Sequence, residues 1–274
     1  MTRYSGLVRA ILLIVLVTGL AGCGKLFRRD DPLETLPVEG MYEEAKGSLM
    51  GGNHGRAVRY YQRLIARFPY GPYTEQAQLE LAYAQYKAHD ADEALATINR
   101  FIRTYPTHRH IAYAYYLRAL VNFERENTFL DRLARIDQTM RDQQAVFTSF
   151  DDFAELIRRY PNSRYAADAR LRMVYLRNQM AKHEMNVARY YLRRGAWVAA
   201  AKRGQYVLEH YPQSGHVPDA LAVMGESYTR LGQDELAADA RRVLQQNDPD
   251  HPWLRGEWPN KPSFWKRLMP LGEG

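Results

Sequence analysis

The residue best suited to covalent chemistry is Cys23, the chain's one cysteine. With no second thiol an intrachain disulfide is excluded, and a lone thiol acts as a nucleophile. Small Ala21 and Gly22 stand directly before it and leave the backbone open to a peptidase. Other candidate chemistries fail on spacing. His108 and His110 flank Arg109 without carboxylate or cysteine company, which reads as loop surface and not as a metal site. His183-Glu184 falls inside a long helical run, where a packed or solvated pair is a simpler reading than a base with its orienter. There is no glycine-rich phosphate loop, no paired cysteine and no His-Glu-x-x-His. Helix periodicity and i,i+4 pairing account for the abundant carboxylates. The chain reads as a non-enzyme with no cofactor and no metal.

The position of Cys23 gives its thiol a purpose. Arg3 and Arg9 form a positive start, and Ala10–Val17 begins an apolar run too short to span a bilayer. Leu20-Ala21-Gly22-Cys23 then resembles the lipobox of bacterial lipoproteins. That resemblance implies cleavage before Cys23, S-diacylglycerol on its thiol and N-acylation of the new terminus. Several acyl chains anchor stably where one would be marginal. Gly24 stands where lipoproteins kept at the inner membrane typically carry Asp, so the resemblance points to the outer membrane, on its periplasmic face. Residues 1–22 are thus expected to be a signal peptide, and residues 23–37, polar and broken by Pro32, a lipidated flexible tether.

Removal of Arg3 and Arg9 leaves 36 Lys and Arg against 31 Asp and Glu, a balance of +5. The excess is spread along the chain, as solvated helix faces require, and predicts no nucleic-acid partner.

The elements downstream repeat. Leu81–Lys87 and Asp90–Leu95 read as two amphipathic helices back to back, with small Ala82 and Ala94 at their closest approach and Pro106 ending the second. This unit resembles a tetratricopeptide repeat (TPR). Aromatic-Pro pairs at Phe68-Pro69, Tyr105-Pro106, Tyr160-Pro161 and Tyr211-Pro212, with Asp248-Pro249 last, punctuate the chain at spacings of 37, 55, 51 and 37. The two longer spacings add close to whole helical turns, so facing is preserved. No alternating β-branched run is present. The expected fold is all-α, a TPR solenoid of five helix–turn–helix repeats and about ten helices. Repeats 1–2 fall in 38–106 and repeats 3–5 in 107–249, with an insertion at 127–143. The helix after Tyr165 is expected to run unbroken to Gly195. Ala188, Tyr191, Gly195 and Ala200 fill the family slots of repeat four, and Gly225, Tyr228, Gly232 and Ala237 those of repeat five. Residues 250–274 form an extension carrying Trp253, Trp258 and Trp265, which reads as a cap over the last repeat, a disordered arm or a docking arm.

Stacked TPR helices offer many side chains at once to a peptide, so the residues alone predict a tethered binding scaffold. The lipobox, Phe68-Pro69-Tyr70-Gly71-Pro72-Tyr73, Arg103-Thr104-Tyr105-Pro106-Thr107-His108, Tyr160-Pro161-Asn162-Ser163 and Arg194-Gly195-Ala196-Trp197-Val198-Ala199 together resemble the BamD (ComL) family. That family belongs to the machinery that assembles outer-membrane β-barrels, and the likeness runs over roughly residues 20–247. It implies a non-catalytic protein that binds the POTRA domains of a BamA-like barrel protein, holds BamC- or BamE-like lipoproteins, and receives unfolded outer-membrane proteins. By motif, Tyr70, Gly71, Pro72, Tyr73, Arg103, Pro106, Thr107 and His108 are implied on the substrate side. Arg194, Trp197 and Arg203 are implied on the barrel-protein side, where the Arg203 guanidinium suits a carboxylate. Two alternatives place the same scaffold elsewhere, as an adaptor for peptidoglycan or envelope machinery, or in DNA uptake.

Overall fold

The computed structural model describes residues 35–125 and 143–258. Cys23, most of the 127–143 insertion and Trp265 lie outside them. Among the described residues are ten α-helices, one 3-10 turn and no strand. The helices are α1 (Val38–Met50), α2 (His54–Arg67), α3 (Pro72–Lys87), α4 (Ala91–Thr104), α5 (Ile111–Arg125), α6 (Gln144–Arg159), α7 (Ala166–Arg193), α8 (Trp197–His210), α9 (Val217–Arg230) and α10 (Asp234–Asn247). They form five successive helix–turn–helix repeats, the TPR architecture expected from the sequence.

Local chemistry sets the boundaries. At the close of every second helix the backbone turns extended, with φ between −126° and −148° at Phe68, Tyr105, Tyr160, Tyr211 and Asp248. Each of these residues precedes a proline, whose ring disfavours helical geometry in its neighbour. Each also donates its N–H to the carbonyl four residues back, at Leu64, Phe101, Leu156, Val207 and Leu244. Those five side chains are fully buried, so the residue that ends the helix is placed directly over the core of its repeat. Between the two helices of a repeat the chain reverses through a left-handed residue at Gly52, Gly195 and Gly232, and His89, ahead of α4, is left-handed too. Three are glycine, which meets no steric cost there, and His89 is the exception.

Two compact units divide the described chain, one ending at Ala88 and the other beginning at His89. In the first, α1, α2 and α3 enclose a core of Met41, Tyr42, Ala45, Ala57, Tyr61, Leu64, Ala77, Leu81 and Ala84. In the second, consecutive helices from α4 to α10 pack in order, and α7 also touches α9. Ala188 and Ala200 are fully buried as their slots require, whereas Ala237 on α10, the last of the described α-helices, is only half-covered.

The extension after Pro249 folds back as a 3-10 turn, Pro252–Arg255. Trp253 joins Leu221, Ala222 and Leu244 in the core of the last repeat, and Trp258 packs against the same cluster. Of the three readings open in the sequence, residues 251–258 take the first, a cap.

Candidate interaction sites

In the first unit, the turn between α2 and α3 presents Tyr70, 89% exposed. Gly71 has φ 111° and ψ 168°, a conformation closed to side-chain-bearing residues, and Pro72 begins α3 at the position where its missing N–H costs nothing. The Thr74 hydroxyl donates to the Phe68 carbonyl and pins the turn. Tyr73 lays its ring 5.5 Å from that of Tyr42. Behind it, Tyr42 donates to Glu80 Oε1 at 2.7 Å, Tyr61 donates to Oε2, and Gln76 Nε2 donates to Oε1 at 2.8 Å. One carboxylate thus ties α1, α2 and α3 together. Burial, and then the bond to Glu80, push both phenols above their ordinary range, so they stay protonated donors.

In the second unit, Arg103, Pro106 and Thr107 are exposed, but His108 is half-buried. Its ring meets Phe101 edge-on at 5.2 Å and lies 5.5 Å from His110. This corrects the reading of His108 as plain loop surface: Phe101 is fully buried and draws the imidazole over its edge. The two sets assigned to the substrate side therefore occupy different units, Tyr70–Tyr73 in one and Arg103–His108 in the other.

The barrel-side residues gather at the α7–α8 hairpin. Arg194 is exposed, stacked over the Tyr190 ring at 5.6 Å. Trp197 is half-buried, packed against the α7–α9 core, and carries the Arg230 guanidinium 5.5 Å above its ring. Arg203 Nη1 meets Glu184 Oε2 at 2.8 Å across the hairpin. Tyr190 and Arg230 were not singled out from the sequence, and Glu184 was read there only as a packed or solvated neighbour of His183. Glu184 and Arg203 stand 19 residues apart on opposite sides of the Gly195 turn, and their pairing follows from the register of α8 on α7.

At the far end, Asp219 on α9 collects Arg189 at 2.8 Å, His251 at 3.6 Å and His216 at 3.9 Å. Burial alone would raise its carboxyl; the neighbouring His216, the Arg189 guanidinium and His251 outweigh it and bring it to about 2. This network is structural, tying the cap to α7 and α9. Among the described residues no group of His, Cys, Asp and Glu could hold a metal ion, and no helix is long and apolar enough to cross a membrane.

Comparison with known proteins follows the same outline. The YfiO family model, described as an outer membrane lipoprotein, matches residues 35–244. Outer membrane protein assembly factor BamD of Xylella fastidiosa (strain 9a5c) is 50% identical over 262 residues, 96% of this chain and 89% of the relative. The protein of that name from Neisseria meningitidis serogroup A is 45% identical over 84% of this chain and 86% of its own length. The one from Vibrio cholerae is 37% identical over 83% and 93%. The relatives carry the name of an assembly factor, and that name together with the TPR fold indicates a non-catalytic accessory protein. A family model matched across the described repeats and relatives at this identity place the chain in the BamD (YfiO) family of outer-membrane lipoproteins.

Proposed function

We propose that the protein is a lipid-anchored, non-catalytic part of the machinery that folds β-barrel proteins into the outer membrane. Acyl chains on Cys23 hold it at the periplasmic face, residues 24–37 act as the tether, and the repeats bind partners. The observation that carries this reading is the assembly-factor name shared by relatives that match nearly the full chain.

Two surfaces divide the work. Repeats 1–2 receive unfolded outer-membrane proteins: in the first unit Tyr70 offers an exposed aromatic ring beside the half-exposed Tyr73, and in the second unit Arg103, Pro106 and Thr107 form an exposed turn of their own. An extended, aromatic-rich chain is the ligand the Tyr70–Tyr73 turn suits. The α7–α8 hairpin binds the POTRA region of a BamA-like barrel protein through Arg194, Trp197 and Arg203, and accessory lipoproteins of BamC or BamE type join the same assembly.

The test is capture of partners by the tagged, lipidated protein from outer membranes opened with mild detergent, read by mass spectrometry. Recovery of a BamA-like barrel protein is expected. Recovery of peptidoglycan enzymes or Tol–Pal components with no barrel protein would overturn the reading.

A further inference from the structure

We propose that Glu184 is a positioning residue for the barrel-protein interface: its carboxylate on α7 fixes the Arg203 guanidinium on α8 so that the outward side of that cation meets a carboxylate of the partner. The inference rests on the function proposed above and adds to it a residue that no motif supplied.

The geometry is asymmetric. Glu184 is 8% exposed, and its side chain is sealed between the two helices, whereas the Arg203 side chain keeps 42% of its surface in solvent. Arg203 Nη1 donates to Glu184 Oε2 at 2.8 Å, and Tyr191 also stands beside the guanidinium. The planar fork has five donors, so one edge can be held from behind while others face outward. A buried carboxylate left without its cation is strongly unfavourable, which keeps Arg203 in place before any partner arrives. Arginine otherwise loses much rotamer freedom on binding, and a side chain already fixed has less to lose.

The neighbouring cations are held by the same device with different partners. Arg194 lies on Tyr190, and Arg230 lies over Trp197 while bonding to Glu226 at 2.9 Å. Arg203 differs in that its holder is a carboxylate on another helix. Replacing Arg203 by a carboxylate would therefore do two things, removing an outward cation and placing like charges where a 2.8 Å ion pair stood. Loss of partner capture in that variant would not say which mattered.

Three variants of the full-length lipidated protein separate the effects. Capture of the barrel protein that co-purifies with wild type is measured per mole of bait, and the melting temperature of each variant beside it. Glu184→Gln keeps the Arg203 charge but releases its hold, and capture is expected to fall about three- to tenfold, the range for one long side chain that must be ordered on binding. Arg203→Glu is expected to lose both capture and melting temperature. The exchange Glu184→Arg with Arg203→Glu rebuilds the pair with its exposed end reversed, so it is expected to regain melting temperature without regaining capture. Capture regained by the exchange would show a mere clamp between α7 and α8 and overturn the proposal, as would undiminished capture by Glu184→Gln. Failure of wild type to capture any barrel protein would instead sink the underlying function, and it is read before any variant is compared.

Discussion

The indole of Trp253 occupies the space that a side chain at Gly225 would fill. A Cβ built on Gly225 would stand 2.4 Å from Trp253 Cη2 and 2.8 Å from Cζ2. The ring is closed in further by Arg241, whose guanidinium lies 4.7 Å from its centroid, and by Nε1 donating to Glu226 at 3.2 Å. Array ends need a cover with a polar outer side, and this residue supplies the apolar inner half of one.

Gly225→Ala is therefore expected to push Trp253 from its slot. Overpacking of this kind costs about 1–3 kcal/mol, and Trp253, 6% exposed in the native fold, would move toward water. A lowered melting temperature with a red-shifted tryptophan emission is the expected pair of readouts. Trp253→Ala should remove the emission difference while leaving its own loss of stability; an unshifted Gly225→Ala spectrum would mean that the ring does not depend on this gap.

Gly71 poses a backbone problem in place of a packing one. No heavy atom lies within 4 Å of where its Cβ would be, yet its φ of 111° with ψ 168° is a glycine-only combination. Gly71→Ala is expected to cost about 1–3 kcal/mol through strain alone. Gly52, at φ 76° and equally unobstructed, sits in the left-handed region that Asn tolerates, so Gly52→Asn should be far milder. Chemical denaturation of both variants checks this, and equal losses would refute the assignment of the cost to the φ/ψ region.

Why these turns were legible while other features were not follows from range. Phe68-Pro69 and its four counterparts are dipeptides whose geometry is decided locally, so their spacing marked every repeat end, and the α7 run from Ala166 to Arg193 was visible as a stretch without Gly or Pro. The Glu80 cluster, the Glu184–Arg203 pair and the Trp253 slot join residues 19 to 38 positions apart. Those pairings depend on the register with which one helix lies on another, which hydrophobic periodicity leaves undetermined. His108 was misread for a more local reason: its loop position was plain, but the fold of the chain that brings its ring onto the Phe101 edge was not.

Glu80 lends itself to a double-mutant test. Glu80→Ala strands the hydroxyl of Tyr61, a residue with no exposed surface, at about 1–3 kcal/mol for an unsatisfied buried donor. Tyr61→Phe alone removes that donor. The double variant is expected to be less damaged than the sum of the two singles, since removing both partners leaves nothing unsatisfied there. Urea unfolding of the four proteins gives the coupling, and additive losses would mean that the phenol finds another acceptor.

Asp219 makes a prediction about acid. Its folded value of about 2 lies below its ordinary 3.8, so the unfolded chain binds a proton more readily than the native one. The contribution is therefore complete above about pH 4 and is lost as pH falls toward 2; a shift of this size corresponds to about 2 kcal/mol. The side chain is 24% exposed, so screening by solvent trims that figure only modestly. Asp219→Asn should be less stable than wild type at pH 5, and the difference should shrink through pH 3 and nearly close by pH 2. Because His251 in the cap shares this carboxylate with Arg189 and His216, the emission of Trp253 should report the same loosening at low pH in wild type. Parallel stability curves for the two proteins between pH 5 and 2 would show that the carboxylate gains nothing from the fold, and would leave the cap held by Trp253 alone.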